Sequence, residues 1–277
     1  MRDLPKPPSL PTAVAALPPG LNRRQANIVQ TAQADGFVSI DGLAAALAVT
    51  PQTIRRDINM LCEMGLLHRY HGGASLPSSA RNIDYQSRRG LMQEEKERIG
   101  RLVAQHIPDG ASLFLNIGTT TEAVARALLG HRGLRIITNN INVAVQLSQG
   151  QDFEITIAGG RLRQDLAVVG EATVEFINQF KVDFGIIGIS GIDPDGTLLD
   201  FDYREVKVAQ AIIANARQIF LATDHTKFGR PAMVKLGHIS VLDALFIDRP
   251  PAQPFLDILA EEHVCLHVVD PAAPSLA

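Results

Sequence analysis

Cysteine is scarce. The 277 residues hold two, Cys62 and Cys265, far apart and outside any CxxC. This spacing excludes a disulfide framework and gives no zinc-binding pattern, so both are expected to be inert packing residues. No apolar run reaches the roughly 18 residues of a membrane-spanning helix. The first residues lack the basic start and apolar middle of a secretory leader. The cytoplasm is the expected compartment, with no membrane partner, no metal and no cofactor. Lysine is missing from Leu21–Pro77, and internal repeats are absent. The net charge of −3 argues against a chain coated with nucleic acid along its whole length.

What is present suits two domains. The chain is too long for one small domain, and its 46% of hydrophobic residues can bury a substantial core. Six prolines in Met1–Gly20 mark a disordered tail. From residue 21 to 77 the spacing predicts a compact helical module. Asn22 caps a helix running to about Ala34, with Leu21, Ile28, Val29 and Ala32 on its apolar side. Ser39 or Asp41 caps a short second helix carrying Leu43, Ala44 and Leu47. Thr50 caps a third, with Pro51 at its first position, and Gly65 closes it after Glu63. Leu66–Tyr70 and Ala74–Leu76 flank His71-Gly72-Gly73 as a hairpin, the glycine pair supplying positive φ angles.

Helix, short helix, turn, helix and hairpin is the order of a winged helix-turn-helix, whose third helix enters the major groove. At 100° per residue Ile54, Ile58 and Leu61 share the inner side of that helix. Gln52, Arg56 and Asn59 lie opposite, flanked by Thr53 and Arg55, the side-chain types that read guanine and adenine edges. Arg69, His68 and His71 on the hairpin are placed for the DNA backbone or minor groove. Placement carries this reading rather than bulk charge. Arg23, Arg24, Arg55, Arg56 and Arg69 face Asp35, Asp41, Asp57 and Glu63, which leaves only 5 − 4 = +1.

A linker and a connecting helix, roughly Leu91–His106, are expected over residues 78–110. From 111 to 277 short apolar runs alternate with helical segments. The runs are Ser112–Asn116, Arg135–Thr138, Glu154–Ala158, Val182–Ile189, Gln218–Thr223, Ala244–Ile247 and Cys265–Val269. This is the signature of an α/β fold with a mainly parallel sheet covered on both faces. Gly118, Thr119, Thr120 and Thr121 follow the first run, and Thr138, Asn139 and Asn140 the second. Gly160 and Arg161 follow the third, and Ser190 the fourth. Ligands of such sheets bind beyond the carboxyl ends of the strands. These loops therefore predict one pocket suited to an anion, with Arg161, Lys227 and the helix-borne Lys207 as its candidate cations.

The stretch Val49-Thr50-Pro51-Gln52-Thr53-Ile54-Arg55-Arg56-Asp57, followed by His71-Gly72-Gly73-Ala74, resembles the DeoR family of bacterial repressors. Gly118-Thr119-Thr120, Thr138-Asn139-Asn140, Gly159-Gly160, Asp202–Lys207 and Asp224–Gly229 stand where that family has its sensor signatures. The resemblance runs from about Asn22 to Val269. It implies operator contact by Thr50, Gln52, Thr53, Arg55 and Arg56, with Asp57 ordering the arginines. It also implies a sensor domain similar to ribose-5-phosphate isomerase, binding sugar phosphates as inducers through residues that include Glu205. Many members carry Asp where this chain has Asn116, which weakens the case for acid–base chemistry. Thr138–Ala144, Gly170–Thr173, Asp183–Asp193 and Phe201–Val206 are similar to one branch of the family, which implies glycerol 3-phosphate as the inducer. Double-stranded operator DNA and further copies of the chain, as a dimer or tetramer, are the expected partners. A regulator of another phosphosugar and a sugar-phosphate isomerase are the alternatives.

Overall fold

The computed structural model describes residues 21–270 except 36, 65, 71, 76–81, 83 and 84. The proline-rich tail and His71 lie outside the described residues. The chain divides into two compact units, one ending at Arg69 but including 73–75, the other holding 70, 72 and the described residues from 82 onward.

The first unit comprises α1 (Arg23–Asp35), β1 (Phe37–Ser39), α2 (Ile40–Ala46), α3 (Pro51–Glu63), β2 (His68–Tyr70) and β3 (Gly73–Ser75). Its ends are fixed by side chains. Asn22 Oδ1 accepts from Gln25 N at 2.9 Å, and Gln25 Oε1 accepts from Asn22 N at 3.1 Å. Two donors at the start of α1 are thereby satisfied reciprocally. Ser39 Oγ caps α2 through Gly42 N at 3.0 Å, and Thr50 Oγ1 caps α3 through Thr53 N at 3.3 Å. Ile28, Ile54, Ile58, Leu61, Leu67 and Ala74 close the core. The three strands order as β1-β3-β2. Of the hairpin glycines only Gly72 has positive φ, at 83°. Gly73 serves another purpose: a Cβ there would lie 2.1 Å from the Val38 carbonyl oxygen of β1.

The second unit begins with α4 (Tyr85–Gly90) and α5 (Gln93–Ala104), followed by β4 (Ser112–Leu115), α6 (Thr119–Leu128), β5 (Arg135–Thr138), α7 (Ile141–Leu147) and β6 (Glu154–Ile157). A small hairpin, β7 (Arg161–Leu162) and β8 (Val168–Val169), precedes α8 (Glu171–Ile177) and β9 (Val182–Ile187). Then come β10 (Gly191–Ile192), β11 (Thr197–Asp200), α9 (Tyr203–Ala214), β12 (Ala216–Ala222) and β13 (Val234–His238). The last elements are β14 (Ala244–Ile247), α10 (Gln253–Glu261) and β15 (Cys265–Val268). Seven strands form one sheet in the order β15-β14-β12-β9-β4-β5-β6. Every neighbouring pair in it is parallel. β10, β11 and β13 make a separate antiparallel sheet.

Apolar residues stand at successive positions of the central strands, as at 113–115, 219–222 and 244–247, because both faces of the sheet are buried there. Phe114, Leu221 and Leu245 point into one core. Their neighbours Leu113, Leu115, Phe220 and Phe246 point into the other, following the two-residue period of a strand. The helix expected as a connection is a layer of this second core, where α5 contributes Ile99, Val103 and Ala104. It lies so close to α6 that a Cβ on Gly100 would sit 2.6 Å from the Ala123 carbonyl oxygen. Gly100→Ala is therefore expected to cost about 1–3 kcal/mol through forced backbone displacement, read as a lowered denaturation midpoint with an unchanged slope.

Chain order sets the position of the site. The sheet grows from β4 to β5 and β6 in one direction, then from β9 to β12, β14 and β15 in the other. The reversal falls between β4 and β9, where Leu115 pairs with Ile186. A crevice opens beyond the carboxyl ends of strands at such a switch point. Among the described residues no helix is long and apolar enough to cross a membrane.

Candidate functional site

Two sites stand apart, one in each unit. In the first, Ile54, Asp57, Ile58 and Leu61 are the buried side of α3, while Gln52, Arg55, Arg56 and Asn59 are exposed and Thr53 is half-buried. Thr50 is occupied as the cap, and its hydroxyl also meets that of Thr53 at 2.9 Å. Asp57 holds an arginine other than those on its own helix. It accepts from Arg24 Nε and Nη2 and, at 3.2 Å, from Gln25 Nε2, tying α3 to α1. Hydrogen bonding to this carboxylate raises the Arg24 pKa. Among the described residues neither Arg55 nor Arg56 has a carboxylate oxygen within 4.0 Å. Arg69 on β2 donates to Asn59 Oδ1, which links the wing strand to the exposed face of α3.

In the second unit a cavity of about 70 Å³ lies at the switch point. A single buried water needs about 10–15 Å³, so the space admits a ligand of a few heavy atoms and no dinucleotide. Its lining includes Asn116–Thr120 after β4, Gly188–Ser190 after β9, and Asn140 at the start of α7. Gly118 adopts φ 143° and opens α6, leaving the first N–H groups of that helix at the cavity.

Four cationic side chains converge there: Arg88 on α4, Lys96 on α5, and Lys227 and Arg230 from the loop after β12. Lys96 Nζ donates to the Arg88 and Leu91 carbonyls, both at 2.5 Å. Burial, with help from Lys227, lowers its pKa to about 7. Burial also lowers Lys227, against the opposing pull of Asp224 at 3.5 Å. Burial pushes the Asp224 carboxyl up, but Lys227, Thr226 and Lys96 outweigh it and bring the group to about 2. Arg230 donates to the Ser190 carbonyl at 2.8 Å and lies 4.9 Å over the Phe201 ring. A bound anion would favour the charged forms of both lysines, since it offsets the desolvation that depresses them.

Acidic side chains stand among these cations, and Arg88 Nη2 lies 3.8 Å from Asp165 Oδ2. Asp200 accepts from the Ser190 hydroxyl at 3.0 Å and the Phe201 amide at 2.6 Å, and burial raises its pKa. Glu205 and Asp165 both pair with Arg163. Burial first and Asp200 second lift Glu205 to about 7, against the pull of Arg163. The folded state thus binds a proton at Glu205 that the unfolded chain releases above its ordinary value of 4.5. The resulting stability is present below that value and is lost as pH rises toward 7. Glu205→Gln is expected to flatten the stability profile between those limits, as measured by urea melts across pH.

Gly118, Thr119, Thr120, Asn140, Ser190, Glu205 and Lys227 line this cavity. The other expected residues do not. Thr121 is turned back to the Gly118 carbonyl at 2.8 Å, Thr138 to the Leu115 carbonyl at 2.7 Å, and Asn139 to the Val168 carbonyl at 3.0 Å. These hydrogen bonds hold the loops around the cavity. Gly160 and Arg161 are exposed on the β7 hairpin, where the inward arginine is Arg163, two residues on. Lys207 lies on the exposed face of α9, its Nζ 5.2 Å from the Tyr203 ring centroid. Residues absent from the sequence reading are Tyr85, Arg88, Lys96, Glu122, Asp200 and Arg230. Within Asp224–Gly229 the short polar run ahead of Arg230 was the one available signal.

A helix-turn-helix unit followed by a parallel α/β unit with a charged cavity at its switch point defines a DNA-binding regulator with a small-molecule sensor. The family model described as the DeoR-like helix-turn-helix domain matches residues 24–80, and the DeoR C terminal sensor domain matches residues 91–249. The chain belongs to the DeoR family. It is 51% identical to the glycerol-3-phosphate regulon repressor of Escherichia coli over 247 residues, covering 89% of this chain and 98% of that one. The repressor of the same name from Haemophilus influenzae is 54% identical over 228 residues, 82% and 89% of the two chains. The transcriptional repressor CsqR of E. coli is 42% identical over 233 residues, 83% and 89%. Among solved structures, ribose 5-phosphate isomerase A of Methanocaldococcus jannaschii superposes on 50% of this chain and 55% of its own, at TM-score 0.37 and 12% identity.

Proposed function

We propose that this protein represses genes of glycerol and glycerol 3-phosphate metabolism, and that glycerol 3-phosphate bound in the cavity releases it from operator DNA. The observation that carries the reading is the 51% identity that extends over 98% of the E. coli repressor. The chemistry agrees with it. Four cations and a helix N-terminus suit a phosphate, the carboxylates suit hydroxyl groups, and the volume suits a three-carbon ligand. In the cytoplasm the protein acts as a dimer or tetramer, because symmetric operators pair with symmetric proteins. It senses without turnover. Ligand binding favours a sensor conformation in which paired recognition helices no longer match the half-site spacing.

A thermal-melting panel of phosphorylated sugars and polyols tests the ligand. At about 100 times its dissociation constant the true ligand adds roughly 2.7 kcal/mol. Glycerol 3-phosphate is expected to give the largest rise, and a larger rise from another phosphosugar would replace it. In the DNA unit, Arg56→Ala is expected to lose about 1–3 kcal/mol on operator and little on random DNA. Equal loss on both would make Arg56 a phosphate contact.

One observation favours a second reading. Glu205, held near 7 inside the cavity, has the pKa of a proton-transfer group. No aldose–ketose interconversion is expected across a phosphosugar panel, and turnover abolished by Glu205→Gln would establish an isomerase.

A further inference from the structure

The carboxylates of the cavity are not equivalent. Asp165 and Glu205 pair with Arg163, Asp224 pairs with Lys227, and Asp200 takes two local donors. Asp200 has no cationic nitrogen within 4.0 Å among the described residues, both its donors meeting Oδ1, and Glu122 on α6, which shares that lack, is the more deeply buried of the two. It is 2% exposed and lines the cavity, yet no Lys, Arg or His nitrogen comes within 4.0 Å of it among the described residues. Its Oε1 accepts from the Tyr85 hydroxyl at 2.9 Å, Asn142 Nδ2 at 3.2 Å and Asn140 Nδ2 at 3.3 Å. Among the described residues its Oε2 meets only the same Tyr85 hydroxyl, at 3.0 Å. A phenol carries one proton and cannot donate fully to both oxygens. One buried carboxylate oxygen is therefore under-supplied with donors, and buried polar atoms are rarely left so.

We infer that Glu122 reads the hydroxyl groups of the ligand, accepting a ligand O–H at Oε2 while the cations hold the phosphate. Tyr85, Asn140 and Asn142 are positioning residues that fix the carboxylate. The inference rests on the ligand being a small polyol phosphate, as proposed above. It makes Glu122 the residue that separates such a ligand from an equally charged phosphate monoester without hydroxyl groups.

The test is calorimetric titration of the full chain with two probes, glycerol 3-phosphate and n-propyl phosphate, which has the same carbon chain and phosphate but no hydroxyl. The unaltered protein is expected to prefer glycerol 3-phosphate by at least about tenfold, the worth of a hydrogen bond to a charged group. Glu122→Gln offers an amide donor where an acceptor is needed. It is expected to erase most of that preference by weakening glycerol 3-phosphate alone, with n-propyl phosphate held within about twofold. Glu122→Asp keeps the charge, withdraws it by one methylene and is expected to act the same way, which covers a folding failure of the first variant. Equal binding of the two probes by the unaltered protein overturns the inference and leaves the phosphate site standing. So does a variant that weakens both probes alike or neither. Binding of neither probe by the unaltered protein defeats the ligand reading itself.

Discussion

Lys227→Gln is expected to give a protein that stays on its operator at glycerol 3-phosphate concentrations that empty the unaltered one. The substitution keeps a polar side chain with N–H donors and removes the charge. Asp224 loses the partner that stands 3.5 Å away but retains the Thr226 amide at 3.0 Å and the field of Lys96. A charge-assisted contact to phosphate is worth about 2–3 kcal/mol in a desolvated site, so ligand affinity should fall roughly 30- to 150-fold. Operator affinity should not change, because Lys227 belongs to the second unit and the exposed α3 face to the first. Titrating ligand into a preformed protein–DNA complex checks this. A release midpoint equal to that of the unaltered protein would remove Lys227 from the phosphate site.

Asp57→Ala is expected to do the reverse, abolishing operator binding while the ligand still binds. Asp57 is 5% exposed and accepts from both Arg24 and Gln25. Gln25 is itself 3% exposed. Its amide, left without that acceptor, costs about 1–3 kcal/mol by itself. A unit of some fifty residues has little margin for such a loss. The same change frees α1 from α3 and blurs the presentation of Arg55 and Arg56. Circular dichroism melts should show a lowered early transition beside an unchanged later one. Retention of operator affinity by Asp57→Ala would show that the α1–α3 tie is dispensable.

The contrast between the two units explains what could be read from sequence. The parallel strands were legible because burial on both faces forces runs such as 113–115 and Ala244–Ile247 to be apolar throughout. The caps Asn22, Ser39 and Thr50 were legible because a helix start needs an acceptor of that kind in the neighbouring sequence. The two-residue strands of the β7–β8 hairpin are too short to show any period. The cavity was half legible. Gly118, Thr119, Thr120 and Ser190 follow strands and could be placed by topology. Lys96 sits within a helix rich in charge and Glu122 in the first turn of another, places where a buried ion has the same sequence context as a solvated one. Arg161 was expected in place of Arg163 because a two-residue strand shifts which side chain turns inward. Asp57 was assigned to order the arginines of its own helix, but its partner Arg24 lies 33 residues away, a pairing that tertiary packing alone supplies.

The central claim is that one ligand in the sensor cavity controls DNA affinity. Fluorescence anisotropy of the purified chain with labelled DNA from upstream of the host's glycerol genes tests it most directly, at one stated salt concentration because phosphate contacts make affinity salt-dependent. Tight binding that glycerol 3-phosphate reverses, against weak binding of random DNA, is the expected result. Tight binding that the ligand leaves unmoved would contradict the assignment of the inducer, and binding no tighter than to random DNA would contradict the assignment of the target.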